Sequence, residues 1–428
     1  MRPIYSLLFL ALLPFIVGRL YLKSRGLPAY RLRISERFAD YPGSSPEISP
    51  LWIHAVSVGE CEAAFPLIRK IQREQPDLPI LMTCTTPTGS SRIQAVLGAS
   101  VLHVYLPYDL PWLVRRFFQH YKPRLGIIME TEIWPNLFDA ASKFGTPLMI
   151  ANGRLSERSM RGYARLSSLI APSLRAVHRF AAQSQEDADR YLNIGATQGT
   201  VFNCGNIKYD IEWHADQVMA SRLLRTSWFG DRKVMVAGST HPGEESLVLT
   251  AFRHVRRLIP DALLILVPRH PERGRSVLEL CRTEGFISRL FSKTIDLTSR
   301  DDVLVIDRVG ELRRFYGACE VAFIGGSLVP HGGQNPLEPL IAGIPVIFGP
   351  HMNNFREIRQ SILDARAGVE VRSAEELADQ VMKVFEHPEE AHRMGERGEA
   401  MVRQNQGALN RIYEITAALL LQPVSSSL

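Results

Sequence analysis

Cysteine is scarce and unpaired in this sequence. Cys61, Cys84, Cys204, Cys281 and Cys319 are the only ones among 428 residues. Their number is odd and no C-x-x-C pair occurs, which argues against a disulfide framework or a cysteine zinc site and for a reducing compartment. The histidines show no H-E-x-x-H or similar spacing, so neither a protein-bound metal nor any other cofactor is predicted. No arginine-rich tract interleaved with aromatics is present, which argues against nucleic acid as a partner. No glycine loop ends in Gly-Lys-Ser/Thr, so a Walker-type NTPase is disfavoured. Short-period repeats and low-complexity segments are absent as well.

What is present is a long, ordinary globular composition. At 428 residues the chain exceeds one typical core, and two domains of about 150–200 residues are expected. The net charge of +6 is modest, and arginine exceeds lysine, which suits phosphate or carboxylate recognition. The N-terminus departs from this pattern. Ile4 to Gly18 is uncharged and mostly apolar, and Arg19, Lys23, Arg25, Arg31 and Arg33 follow. A spanning helix needs about 20 apolar residues; this run is shorter and Pro14 interrupts it. No small-x-small site precedes the basic cluster, which disfavours a cleaved signal peptide. Two readings stay open: a single anchor with its basic flank in the cytoplasm, or an interfacial helix on anionic lipid.

Short apolar runs alternate with helical patterns along both halves. The first half reads as strands at Leu51–Val56, Ile80–Cys84, Val101–Tyr105, Leu125–Met129 and Pro147–Ala151. A helix is expected to begin near Ala63, with Pro66 in its first turns. The second half reads as strands at Val234–Gly238, Ala262–Val267, Val303–Ile306, Val321–Ile324 and Pro345–Phe348. This alternation predicts doubly wound parallel sheets, with ligands at the carboxyl ends of the strands. Asn206 to Asp231 is weakly patterned and reads as a linker. Ala374 to Leu421 is helical in pattern. The expected organisation is a hydrophobic anchor over 1–25, one domain over 26–205, the linker over 206–231, a second domain over 232–400 and a helical tail over 401–428.

Several motifs sit where strands end. Gly325-Gly326-Ser327-Leu328 and Gly332-Gly333-Gln334-Asn335-Pro336-Leu337-Glu338 join a strand to a helix start. Glycines admit a ligand close to the backbone, and a helix start offers free N–H groups to an anion such as a phosphate. Asn335 suits the N-cap, Pro336 the first helical position and Glu338 the third; an ordinary capping box is the competing reading. Glu60 follows a strand and opens a helix, so it should be ionised and is a candidate general base. The plain alternative is a glutamate that only suits the helix dipole. Glu130 and Glu132 end another strand and would share one face, or would merely form a helix-start acidic pair. Lys208 opens the linker and could stabilise charge on a leaving phosphate, although loop lysines are usually just solvated. Gly238-Ser239-Thr240-His241, Pro268-Arg269-His270 and Asp307-Arg308-Val309-Gly310-Glu311 end three further strands. The first loosely resembles a phosphate loop; the other two supply arginine forks for anions or form solvated loops.

Taken in order, these blocks resemble the 3-deoxy-D-manno-octulosonic acid (Kdo) transferases of Gram-negative bacteria. The matching stretches are Ala55–Glu60, Met129–Asn136, Gly205–Asp210, Gly238–His241, Pro268–His270 and Gly325–Glu338. Each alone is weak, but they are strung in the family's order over nearly the whole chain. The resemblance implies a GT-B glycosyltransferase of two Rossmann-like domains facing a cleft, with the C-terminal helix returning to the first domain. It implies CMP-Kdo as donor and a tetra-acylated, bisphosphorylated lipid A precursor as acceptor, in lipopolysaccharide core biosynthesis. Inner-membrane lipids would be partners, with the catalytic domains on the cytoplasmic side. By resemblance the reaction is a metal-independent, inverting direct displacement with Glu60 as general base. Glu130 and Lys208 would stabilise the transition state. CMP would contact Pro268, Arg269, Val309, Gly310, Glu311, Asn335, Pro336, Leu337 and Glu338. Two alternatives stand beside this reading: another GT-B nucleotide-sugar transferase or epimerase, and a catalytically silent nucleotide-binding scaffold.

Overall fold

Fully buried runs rich in valine, isoleucine and leucine form two separate parallel sheets. The fold is that of a computed structural model, which describes residues 1–294, 297–298 and 300–421. The expected tail beyond Leu421 lies outside the described residues. The chain divides into two compact units. One is Met1–Asp210 with the segment that begins at Gln406; the other is Ile211–Asn405.

The first unit holds β1 (Leu51–His54), β2 (Ile80–Cys84), β3 (Leu102–Tyr105), β4 (Leu125–Met129), β5 (Leu148–Gly153), β6 (Arg179–Ala182) and β7 (Val201–Asn203). They lie side by side in the order β3-β2-β1-β4-β5-β6-β7, all parallel. Both faces are covered by helices, so strands such as β1, β2 and β4 have no exposed residue. The chain runs outward from β1 through β2 to β3, then returns to β4 on the other side of β1. That reversal opens a crevice at the carboxyl ends of β1 and β4.

The second unit repeats this plan. Its strands are β8 (Val234–Thr240), β9 (Leu263–Pro268), β10 (Ser288–Leu290), β11 (Val303–Val305), β12 (Val321–Ile324), β13 (Val346–Phe348) and β14 (Gly368–Glu370). Their order is β10-β11-β9-β8-β12-β13-β14. Here the reversal lies between β8 and β12. The parallel, doubly wound α/β expectation therefore holds in both units.

Local details differ from the sequence expectation. The helix after β1 runs Val58–Glu74 and carries Pro66 in its interior, not in its first turns. The stretch read as linker contains a 3-10 turn at Ile207–Tyr209, a helix at Ala215–Leu224 and a π turn at Arg225–Phe229. The helix buries only Ser221 and Leu224, which is why its pattern looks weak. The tail is three helices, Ala374–Glu386, Pro388–Gln404 and Ala408–Leu420. The last places Ile412, Leu419 and Leu420 in the core of the first unit. Asp210 caps it, accepting from Gly407 N at 2.6 Å and Leu409 N at 2.7 Å. At the other end of the sequence, Pro14 does not interrupt the apolar run. Arg2–Lys23 is one helix of 22 residues, long and apolar enough to cross a membrane.

Candidate active site

In the first unit the acidic motifs meet at the crevice. Glu60 sits in the first turn of Val58–Glu74, just past β1. Its Oε2 accepts from Val56 N at 2.7 Å and its Oε1 from Ser57 Oγ at 3.0 Å. Burial raises the Glu60 pKa, the Val56 N–H opposes that rise, and the neighbouring Glu130 carboxylate adds to it. The helix start alone predicts a lowered value; desolvation outweighs it.

Glu130 follows β4, but it is not an extended residue sharing a face with Glu132. Its φ is +56°, a left-handed conformation that costs a non-glycine residue energy. Two backbone bonds hold it there: Glu130 N donates to Ala151 O at 2.9 Å, and Tyr191 Oη donates to Glu130 O at 3.2 Å. The twist turns the Glu130 side chain towards Lys208, whose Nζ stands 4.0 Å from Oε1. Lys208 is itself fixed by its neighbours. Asn206 Oδ1 accepts from Lys208 N at 3.0 Å, and Asn152 Oδ1 accepts from Ile207 N at 3.0 Å. Glu132 completes the group. Its pKa is pushed up to about 7, first by burial and then by the Glu60 charge. Three carboxylates and one ammonium thus converge in a partly dry crevice, where electrostatic effects are stronger than in water. In the sequence Glu132 has no role apart from its pairing with Glu130; its raised pKa sets it apart.

In the second unit the glycine-rich loop is already occupied. The Glu244 carboxylate opens the helix Glu244–Leu258 and is fully buried. It accepts from Gly326 N at 2.7 Å, Ser327 N at 3.0 Å, Leu328 N at 3.0 Å and His241 N at 3.2 Å. The amides of Gly326–Leu328, in the loop expected to face a phosphate, hold a protein carboxylate instead, while Gly325 N donates to Gly238 O at 2.8 Å. Gly325 is required because a Cβ there would lie 2.3 Å from Ser239 O. The helix after the loop is short, Leu337–Ile341, with Pro336 at its N-cap. Asn335 accepts from Leu337 N at 3.1 Å, so it serves the helix from one position further out than expected. Glu338 pairs with Arg313 at 3.4 Å, and Glu311 pairs with Arg314 at 2.6 Å.

The residues expected at CMP all lie at the carboxyl edge of the second sheet. Pro268 ends β9 and is buried, while Arg269 beyond it is exposed. Val309, Gly310 and Glu311 follow β11, with Val309 86% exposed. Asn335, Pro336, Leu337 and Glu338 follow β12; Pro336 and Leu337 are buried, Asn335 and Glu338 partly exposed. Beside them His241 stacks on His331 at 4.2 Å, and Gln334 Nε2 stands 3.0 Å from His241 Nε2. Among the described residues no group of three or more histidine, cysteine, aspartate or glutamate side chains could hold a metal ion.

A family described as 3-Deoxy-D-manno-octulosonic-acid transferase (kdotransferase) matches residues 32–211, and Glycosyl transferases group 1 matches residues 245–401. The 3-deoxy-D-manno-octulosonic acid transferase of Haemophilus influenzae is 39% identical over 417 residues, covering 97% of each chain. The chain belongs to the 3-deoxy-D-manno-octulosonic acid transferase family. The member from Bordetella pertussis is 32% identical, covering 96% of this chain and 98% of its own. This Kdo transferase family member is accordingly a glycosyltransferase, which displaces the silent-scaffold alternative. Among solved structures, a UDP-GlcNAc 2-epimerase from Neisseria meningitidis bound to UDP-GlcNAc is similar, with a TM-score of 0.54 and 12% identity. It covers 88% of this chain and 100% of its own. That likeness shows the GT-B-like fold of the Kdo transferase and says nothing about its substrate.

Proposed function

We propose that the protein transfers Kdo from CMP-Kdo to a tetra-acylated lipid A precursor at the cytoplasmic side of the inner membrane. The observation that supports this reading most is the carboxylate group at the first crevice. Glu60 is a carboxylate of raised basicity, held by Val56 N and Ser57 Oγ. A base whose pKa approaches the working pH is the most effective. Glu60 takes the proton from the acceptor hydroxyl. The oxygen then attacks the anomeric carbon of Kdo, the bond to the CMP phosphate oxygen breaks with its electron pair, and the anomeric configuration inverts. Glu130 and Lys208 stabilise the charges of the oxocarbenium-like transition state. The fixed position of Lys208 matters, because groups held in place before reaction lose no energy to reorganisation. CMP contacts Pro268, Arg269, Val309 to Glu311 and Asn335 to Glu338, where Arg269 supplies an exposed cation for the phosphate.

The test is transfer from CMP-Kdo, generated in situ, to tetra-acylated lipid A precursor, with products resolved by mass. A mass gain with the wild-type protein and none with folded Glu60→Ala supports donor, acceptor and base together. A folded wild-type protein that gives no gain with this pair, but does so with another nucleotide sugar, rejects the donor assignment.

A further inference from the structure

The helix Arg2–Lys23 touches the first unit at both of its ends. Near its start, Arg2 forms an ion pair with Asp139. Asn136 Nδ2 donates to Ser6 Oγ at 3.0 Å, the Tyr5 hydroxyl bonds Asp109, and the Phe9 ring lies 6.4 Å from that of Tyr108. At its end, Ser24 is buried and Arg31 Nε donates to Ser24 Oγ at 2.6 Å. Between these points Leu13, Ile16, Val17 and Leu20 are half-buried. With Arg2, Tyr5, Ser6 and Phe9 they fall at helical spacing, so one stripe faces the domain along the whole length. The opposite stripe is apolar and open: Ile4, Leu7, Leu8, Leu12, Phe15 and Leu22 are each between 56% and 77% exposed.

A helix of this length spans about 33 Å, roughly the thickness of the hydrocarbon core. If it crossed the bilayer, Arg2, Tyr5 and Ser6 would end on the far side, away from Asp139, Asp109 and Asn136. We infer that the helix instead lies in the membrane plane, fixed to the domain along one stripe, with its open apolar stripe sunk in the acyl chains of one leaflet. This rests on the membrane association contained in the proposed function. The flanking charges fit the same surface: Arg19, Lys23 and Arg25 are exposed at the helix end and would meet anionic headgroups. The attachment also reaches the active site. Asn136 ends the motif that carries Glu130 and Glu132, and Asp109 ties it down by accepting from Asn136 N at 3.1 Å and Leu137 N at 2.7 Å. A helix lying flat therefore holds the catalytic carboxylates at the bilayer surface, where a lipid acceptor presents its headgroup.

The experiment labels one introduced cysteine at a time in the full chain in bacterial membranes with a membrane-impermeant maleimide. One variant carries a Gly-Ser-Cys extension ahead of Met1; the other is Arg25→Cys. The native cysteines are all buried and give a low background. Both variants are expected to label in inverted vesicles and neither in intact spheroplasts. Labelling of the extension from the spheroplast side alone overturns the inference and establishes a span. Leu8→Trp and Phe15→Trp add a depth measurement with brominated lipids: equal, shallow quenching supports the flat helix, and midplane quenching rejects it. A chain that stays out of the membrane fraction and pairs with a second copy through this helix also rejects it. None of these readouts needs donor or acceptor, so they fail or succeed independently of the transfer assay.

Discussion

Lys208 Nζ stands 4.0 Å from Glu130 Oε1, and each side chain is only about a quarter exposed, 23% and 24%. Glu130 has adopted a left-handed backbone to make this approach. Energy of that kind is usually retained where geometry serves function. Lys208→Ala is therefore expected to lower kcat about 10²–10³-fold, the range for losing one preorganised charge-stabilising group. Its thermal midpoint should stay near that of the wild type. Glu130→Gln should lower kcat as well, and the double variant should lose less than the product of the two single losses. Steady-state kinetics of the four proteins, with melting curves alongside, measure this directly. Additive losses would mean that the two residues act separately.

Glu60 has two duties that one substitution can separate. Its carboxylate caps the start of Val58–Glu74 through Val56 N and Ser57 Oγ, and it is the proposed base. Glu60→Gln keeps an acceptor oxygen for the cap but cannot take a proton. Its rate should fall about 10²–10⁴-fold. The capping loss is worth about 1 kcal/mol or less, a shift of no more than about 4 °C in Tm. A melting curve and a single-turnover assay on the same sample separate the two effects. Full activity in Glu60→Gln would leave Glu60 as a cap alone.

The sequence made the sheets legible because their strands are buried on both faces. Runs such as Leu125–Met129 and Val321–Ile324 have no exposed residue and are wholly apolar. Strand ends were legible for the same reason, and with them the neighbourhood of Glu60, Glu130 and Arg269. What the sequence hides is pairing over distance. Nothing local says that Glu244 reaches the amides of Gly326–Leu328, more than eighty residues away. A glycine loop with free amides and one with filled amides look the same when written out. The φ of Glu130 is hidden likewise, since tertiary bonds from Ala151 and Tyr191 impose it. The two faces of the N-terminal helix are hidden for a different reason. Its domain-facing stripe is mostly apolar, like its open stripe, so the two faces do not separate by composition.

Glu244 should behave as a structural residue of the second unit. Glu244→Ala would leave four backbone N–H groups of a buried loop without their acceptor. A hydrogen bond to a charged group is worth about 1.5–3 kcal/mol, and these four share one carboxylate. A total loss of at least about 3 kcal/mol is expected. Glu244→Gln should fall between, because its amide nitrogen meets donors where an acceptor is needed. Hydrogen exchange gives the local readout: the amides of Gly326, Ser327 and Leu328 should exchange faster in both variants. If instead they are unchanged while CMP binding is lost, Glu244 serves the ligand and not the loop.

Glu132 predicts a pH dependence of stability with a definite sign. Its pKa rises from an ordinary 4.5 to about 7, chiefly through burial. Between these values the unfolded chain has released the proton while the folded chain still holds it. The folded state then binds more protons, so stability falls as pH rises through this window and levels off above about 7. The contribution lost is on the order of 2 kcal/mol, discounted for the part of the side chain that water still reaches. Asp109, buried and raised to about 6, slopes the same way, so the wild-type profile alone does not isolate Glu132. The difference between wild type and Glu132→Gln does. Glutamine has no proton to lose, and the variant should gain on the wild type as pH rises from about 4.5 to about 7. Denaturant unfolding at several pH values measures it. A constant difference across that window would mean that Glu132 titrates normally and that the carboxylates at the crevice are better solvated than their burial indicates.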